Sequence, residues 1–565
     1  MLTPWGEKLD RDNVLKEYPR PQLKRDSYWN LNGLWRYAIT DSPDFPESFD
    51  GEILVPFSPE TGISGVGRFV EPEQFLWYCF SGELPENFNR GRLLLHFGAV
   101  DQTATVFVNG YEVMTHTGGY TPFSMDITDA VKDDRIAILV RVQDVSDCSW
   151  HSRGKQKIKR GGIWYSPQSG IWQTVWMESV PENYIRGLRI IPRFDEQQVE
   201  LWVAGKGECR GEIDGEDFCF EAGVPAVLDL AELHPWSPET PYLYSLKLTL
   251  GEDEVESYFA MRKFSVDTDE HGDRRLFLNN KPYFHDGILD QGYWSDGLMT
   301  APSDEALIFD IQTVKDMGFN MLRKHMKIEP LRWYYHCDRL GMLVWQDMPC
   351  GGEKYRAGVV SAPLVTGIHL SDDRYAAFGR KDEEGRKQYY AELREMINTL
   401  YNCPCVAMWV PFNEGWGQFD SQQVCEYIRK MDASRTIDHA SGWHDQKIGD
   451  ICSRHVYFKK YKHRPDARGR AVVLSEFGGY NHRIDGHCRS SKNFGYKNYD
   501  SANSYKFALR DLYSQQIKPA YNDGLAAAVY TQLSDVEDEL NGLITFDRRV
   551  VKVHSAILRG VVKIR

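Results

Sequence analysis

Between Trp29 and about Pro181, apolar and polar residues alternate in short runs broken by turn residues, as in RLLLHFGAV, ATVFVNGYEVM and IAILVRVQ. A period of two marks half-buried strands, and Asn109-Gly110 between two such runs predicts a tight hairpin, because both residues tolerate positive φ. A β sandwich of jelly-roll size is expected over residues 1–181. From 182 to 265 the runs RGLRIIPRF, VELWVAG, YLYSLKLTL and VESYFAMRKF continue the alternation over a length that suits a small immunoglobulin-like sandwich, with a stiff loop at His234-Pro235-Trp236-Ser237-Pro238.

After Ser265 the period changes. PSDEALIFDIQTVKDMG places Leu307, Ile311, Val314 and Met317 on one helical face, with Ser303 as N-cap and Gly318 just past the end. Eight apolar runs follow one another, mostly separated by helical patterns: YFHDGILDQ, FNMLRKH, MLVWQDM, VAMWVPFNE, TIDHASG, DICSRHVYF, AVVLSEFG and AAAVYTQLSD. They predict a (β/α)8 barrel over 266–565. The fold class is thus multidomain, β plus α/β, with chemistry at the C-terminal strand ends. The length of this stretch leaves little room for insertions, so short barrel loops are expected.

Charge and composition narrow the function. Asp and Glu number 81 against 67 Lys and Arg, a formal charge of -14, which is the wrong sign for coating nucleic acid or an anionic membrane. The start lacks the pattern of a signal peptide and no stretch approaches a spanning length, so a cytoplasmic protein is expected. Eleven cysteines, odd in number and sparse, read as mostly free thiols. The 13% of aromatic residues suits cores and also flat sugar faces. His439, His444, His455 and Cys452 match no zinc spacing, GGEKYRAG lacks the ending of a phosphate loop, and there is no Gly-x-Ser-x-Gly elbow, so neither a metal nor an organic cofactor is expected. The basic run HSRGKQKIKR, in the jelly-roll loop that starts near Ser146, is expected to be a solvated face rather than an arm that reaches the barrel.

The predicted strand ends carry Asp286 or Asp290, Arg323 and His325, Asp347, Asn413 and Glu414, Ser441 to Asp445, His455 and Tyr457, Glu476, and Gln532 with Asp535. Glu414 and Glu476 each end an almost wholly apolar run, on the fourth and seventh strands, which face each other across a barrel mouth. Glycoside hydrolysis needs such a pair: one carboxylic acid to protonate the leaving oxygen and one carboxylate to attack the anomeric carbon, about 5–5.5 Å apart when configuration is retained.

On these motifs the chain resembles glycoside hydrolase family 2, which includes β-galactosidases, β-glucuronidases and β-mannosidases. WVPFNEGWGQ is similar to the family's acid/base motif and LSEFGG to its nucleophile motif; GFNMLRKH and LVWQDMP resemble its second and third barrel strands. RPQLKRDSYWNLNGLWRYAI, ILVPFSPE and PQSGIWQTVWME resemble its N-terminal jelly roll. The resemblance implies Glu414 as acid and then base, Glu476 as nucleophile, Asn413 on the substrate's 2-hydroxyl, Arg323 holding the nucleophile ionised and Tyr457 donating to it. Trp416 and Trp443 are candidates for stacking on a sugar, and Asp347, His455 and Gln532 complete the candidate binding set.

Three departures stand against the family pattern. Lys324-His325-Met326-Lys327 follows Arg323 in place of a Ser-His-Tyr-type run, Gln532 stands where many members have a platform Trp, and the Asn-x-Lys signature of glucuronidases is not evident after Glu476. A retaining exo-β-glycosidase of β-galactosidase type is therefore expected, with a β-glucuronidase, mannosidase or arabinosidase as the alternatives within the family. A non-catalytic carbohydrate-binding protein is the alternative outside it, and the paired carboxylates argue against that. Carbohydrate is the expected partner; homo-oligomerisation is left open.

Overall fold

In the computed structural model, which describes residues 1–562, Asn109 and Gly110 turn with φ of 48° and 86°. They join Thr103–Val108 to Tyr111–Thr117 in the hairpin that the sequence predicts. That hairpin is the edge of a six-stranded antiparallel sheet, which packs on a four-stranded one built around Arg92–Phe97 and Val175–Val180. Leu93, Leu95, Val106, Ile138, Val140 and Met177 fill the space between the two sheets. Arg135–Gln143 alternates between buried and more open positions along its whole length, as a strand with one face on a core must.

A three-stranded and a four-stranded sheet between Leu188 and Phe259 form the second sandwich, closed by Val199, Leu201, Leu246, Leu248 and Val255. The stiff loop pins it to the barrel: Trp236 is fully buried and its Nε1 donates to Asp338 O at 2.8 Å. Arg25 ties the two sandwiches together, with guanidinium bonds of 2.8–2.9 Å to Asp253 and Glu178.

The barrel strands are β1 (His285–Asp290), β2 (Met321–Lys324), β3 (Leu343–Asp347), β4 (Val406–Val410), β5 (Thr436–Ile437), β6 (Ile451–Val456), β7 (Ala471–Gly478) and β8 (Ala527–Thr531). They are parallel neighbours in the order β5-β4-β3-β2-β1-β8-β7-β6. The helix α1 (Asp304–Asp316) follows β1 with Ser303 accepting from Ala306 N, and α2 (Leu331–Leu340) ends at Gly341, whose φ is 73°.

Two expectations give way here. Loops, not helices, join β5 to β6 and β6 to β7: YFKKYKHRPDARGR has no apolar stripe at helical spacing and carries Pro465 and Gly469. The barrel loops are also not short, since residues 348–382, 479–501 and 532–554 overlie the mouth with little helix of their own. Chain that two missing helices would have taken is available for these loops. Among the described residues no ladder joins β5 to β6; side chains cross the seam instead, Ser441 Oγ lying 3.0 Å from both His455 Nε2 and Ser475 Oγ. All eleven cysteines are free, and no described helix is long and apolar enough to cross a membrane.

Candidate active site

Glu476 does not sit at a regular ladder position. The pairing of β6 with β7 runs Arg454↔Leu474 and then His455↔Glu476, and that of β7 with β8 runs Leu474↔Ala528 and then Phe477↔Tyr530. One extra residue is thus accommodated on β7 at Ser475–Glu476. Such a bulge re-aims a side chain and frees a backbone group: Ser475 O accepts from Arg323 Nη1 at 3.0 Å, and the Glu476 carboxylate turns into the mouth, where Arg323 Nη1 meets Oε1 at 3.2 Å.

Glu414 reaches the mouth by a different device. Its φ of 52° is left-handed, a conformation that costs a side-chain-bearing residue energy and persists only where the surroundings impose it. The bonds Glu414 N to Ser441 O and Trp416 N to Asn413 O, both 2.9 Å, impose it. A carboxylate oxygen of Glu414, one of Glu476 and a ring nitrogen of His455 all lie within 4.8 Å of one another. Glu414 is 9% exposed and Glu476 5%.

His455 Nδ1 is 2.8 Å from Glu414 Oε1 and 3.6 Å from Glu476 Oε2. Nδ1 donates to Glu414, and Nε2 stands 3.0 Å from the Ser441 hydroxyl. The ring on the sixth strand thus faces both carboxylates through Nδ1 and is held from behind by the Ser441 hydroxyl at Nε2. These three residues are also the group, among those described, whose donor atoms are close enough to share a cation. His455 already bonds Glu414, and Arg323 already pairs with Glu476.

Arg323, fully buried, holds the floor of the site. Its Nε and Nη2 each lie 3.0 Å from Asp347, its Nη2 donates to Asn413 Oδ1 at 2.8 Å, and His325 Nδ1 meets Asp347 Oδ2 at 2.6 Å. Asp347 is thus the partner of the arginine and of His325. Tyr457 donates its hydroxyl to Glu476 Oε2 and stacks on Tyr496, with ring centroids 3.7 Å apart and planes 6° from parallel. Tyr496, from the loop after β7, had no mark in the sequence beyond its type.

These surroundings push the two carboxyls apart. Burial raises the Glu414 carboxyl above the usual range, and the negative Glu476 adds to that against the opposing hydrogen bond from His455. Burial also pushes Glu476 upward, but the positive fields of His455 and Arg323 and the Tyr457 hydroxyl outweigh it and leave the carboxyl below its ordinary value. Opposite shifts in adjacent carboxyls separate an acid from a carboxylate at one pH.

Three donors around the pair have no protein partner: Asn413 Nδ2, Trp443 Nε1 and Gln532 Nε2. Gln532 Oε1 is taken by Gln291 Nε2 at 2.7 Å. Trp443 stands edge-on to His455 at 5.5 Å, whereas Trp416, 3% exposed, packs with Trp164 at 5.0 Å and Tyr355 at 6.4 Å in an aromatic wall of the mouth.

The basic jelly-roll loop is a solvated face only at its end, where Lys159 and Arg160 are exposed; its first half is docked on the barrel. Arg153 N and Gly154 N donate to Cys350 O at 2.8 and 3.0 Å, and Arg153, Lys155 and Gln156 are buried. Gly154 permits the approach: a Cβ there would lie 2.6 Å from Met326 O. The physical reason is cooperative, because the loop's polar backbone finds acceptors on the loop after β3 that pattern alone cannot reveal.

A parallel barrel with a buried carboxylate pair at its C-terminal mouth, set behind two β sandwiches, defines a protein of the glycoside hydrolase architecture. Residues 71–181 match the sugar-binding domain, 183–262 the central domain and 271–478 the TIM barrel domain of glycosyl hydrolases family 2. The chain belongs to that family. A β-galactosidase of Thermoanaerobacter pseudethanolicus is 24% identical over 75% of this chain and 57% of its own length. A β-glucuronidase of Streptococcus agalactiae is 22% identical over 70% of this chain and 68% of its own. The chain spans about half the length of the first curated relatives it matches, 57% and 50%. Among solved structures, a β-D-glucuronidase of Dictyoglomus thermophilum superposes with a TM-score of 0.74 over 96% of this chain and 98% of its own, at 18% identity. A β-galacturonidase of Eisenbergiella tayi gives 0.70 over 97% and 98%, at 18% identity. At these identities the likeness is one of fold.

Proposed function

We propose that the protein is a retaining exo-β-glycosidase in which Glu414 is the acid/base and Glu476 the nucleophile. The observation that carries the reading is the carboxylate pair itself: oxygens within 4.8 Å, on strands that face each other, with carboxyls shifted in opposite directions. An inverting enzyme would hold them further apart to admit a water between them. In the first step Glu414, kept protonated by burial and by the charge of Glu476, gives its proton to the glycosidic oxygen while Glu476 attacks the anomeric carbon, so that the glycosidic C–O bond breaks and the aglycone leaves as the alcohol. Burial is the main cause of the raised Glu414 carboxyl, and esterification of Glu476 removes the negative charge that adds to it, so Glu414 then better suits the role of base toward the incoming water. The free Nδ2 of Asn413 supports a bond to the sugar's 2-hydroxyl, and the Trp443 and Gln532 donors suit a polyhydroxylated ligand. Carbohydrate is accordingly the proposed partner. Binding alone needs neither a matched pair nor opposed shifts, which disfavours the reading of a lectin-like protein on this scaffold.

A 2-deoxy-2-fluoro aryl glycoside tests the reading. Covalent mass on the peptide that contains Glu476, lost in Glu476→Gln, is expected. Label on another residue, or turnover that survives Glu476→Gln, would overturn it.

A further inference from the structure

The described residues include four buried lysines: Lys155, Lys324, Lys327 and Lys552. Lys324 pairs with Asp290 and Glu329, Lys327 with Glu329 and Lys552 with Asp535, each at 2.6–2.8 Å. Lys155 is 5% exposed and has no carboxylate within 4.0 Å among the described residues. It contacts Tyr165 Oη at 3.5 Å, a hydroxyl that itself donates to Glu539, and its ammonium lies over the faces of Tyr165 and Trp416 at 5.1 and 5.9 Å. Burying an ammonium without a counter-ion is costly, and aromatic faces recover only part of the lost hydration.

The position of this ammonium is imposed rather than incidental. Its backbone is locked on both sides, by Gly154 N on Cys350 O and by Tyr165 N on Lys155 O, each 3.0 Å. The Trp416 ring beneath it meets His325 edge-on at 6.2 Å, and His325 bonds Asp347 on the floor of the site. The positive field of Lys155 is felt at Glu414, at Asp347 and at His325. The lysines of the loop after β7 differ from it, because Lys492 and Lys497 are exposed, the latter lying against Tyr480 and Tyr499.

We propose that Lys155 is the specificity residue of the site and that its ammonium receives the carboxylate of a uronic acid glycon, so that the substrates are β-uronides. The inference rests on the glycosidase reading above, and it places a uronide ahead of the galactoside expected from the sequence. An anion at this point supplies the counter-ion that the fold leaves out. A neutral hydroxymethyl group cannot, so the difference between the two sugars is read as the difference between a paired and an unpaired buried charge. The arm comes from the jelly roll, which gives that domain a direct part in choosing the sugar.

Nitrophenyl β-glucuronide, β-galacturonide, β-galactoside and β-glucoside, turned over by the wild type, Lys155→Met and Lys155→Arg, test this. The wild type should prefer a uronide over the matching neutral sugar. In Lys155→Met the ratio of uronide to neutral kcat/KM should fall by about a hundredfold, chiefly through uronide KM, because a buried charge pair loses one partner. Lys155→Arg should restore part of the ratio, which a merely structural lysine would not do. The two uronide arms distinguish the C4 epimers. Wild-type preference for a neutral hexoside, or an equal loss on charged and neutral substrates in Lys155→Met, overturns the proposal while leaving the glycosidase reading intact. Absence of turnover on every arm, with no label on Glu476, refutes both.

Discussion

Replacing Tyr457 by Phe removes one oxygen atom from the site and little else. The ring keeps its stack on Tyr496 at 3.7 Å, and the hydroxyl that is lost donates to Glu476 Oε2 and lies 3.1 Å from Thr531 Oγ1. A hydrogen bond to a charged group contributes about 1.5–3 kcal/mol, and every 1.4 kcal/mol is a factor of about ten. The effect depends on the step. As Glu476 attacks it loses charge and the bond weakens; as the covalent intermediate breaks down, Oε2 regains charge and the bond strengthens. Deglycosylation should therefore slow by about ten- to a hundredfold, while glycosylation by an activated aryl glycoside changes less. The assay is stopped-flow release of nitrophenolate, in which Tyr457→Phe should show a burst followed by a slow steady state. Because the hydroxyl helps to lower the Glu476 carboxyl, the acid limb of kcat/KM should also move upward. The Thr531 hydroxyl loses a neighbour at a cost of about 1 kcal/mol, too little to unfold the barrel. No burst together with an unmoved acid limb would refute the argument and leave Tyr457 as a packing residue.

Other outcomes follow from the same geometry. Glu414→Ala should hurt substrates with poor leaving groups far more than dinitrophenyl glycosides, and equal losses would count against its role as acid. The wild-type pH profile should be a bell with limbs further apart than two ordinary carboxyls give, since Glu476 is shifted down and Glu414 up; Glu414→Gln should abolish the alkaline limb. Arg323→Met strands Asp347 and Glu476 without their guanidinium and should lower stability in urea by about 3–5 kcal/mol, with the acid limb raised. Away from the site, burial pushes the Glu178 carboxyl up, but Arg20, His96 and Arg25 hold it at about 2 against an ordinary 4.5. Its contribution to stability is complete above the ordinary value and drains away as pH falls toward 2, so Glu178→Gln should flatten acid unfolding in that window.

The order of elements was legible because it is written in local periods. Alternation of two made the sandwich strands, a period near 3.6 made α1 with Ser303 and Gly318 at its ends, and short apolar runs ending in Glu414 and Glu476 marked β4 and β7. The acid/base and nucleophile candidates were legible for the same reason, since a polar residue that closes a buried strand has few places to go. The missing helices after β5 and β6 were written there too, in segments with Gly442 and Gly449 after the one and Pro465 and Gly469 after the other, but eight strands invite eight helices.

What only the tertiary structure decided depends on groups far apart in the chain. The bulge at Ser475, which aims Glu476, arises from the register with two neighbouring strands. The place of His455 beside Glu414 rests on the seam that Ser441 bridges. The docking of Lys155 needs an acceptor at Cys350 and the space that Gly154 leaves beside Met326. Each is a long-range pairing with no period of its own. The sequence by itself therefore determined which carboxylates close the buried strands and so stand as candidates, and the fold determined how they are brought together and which charge stands near them.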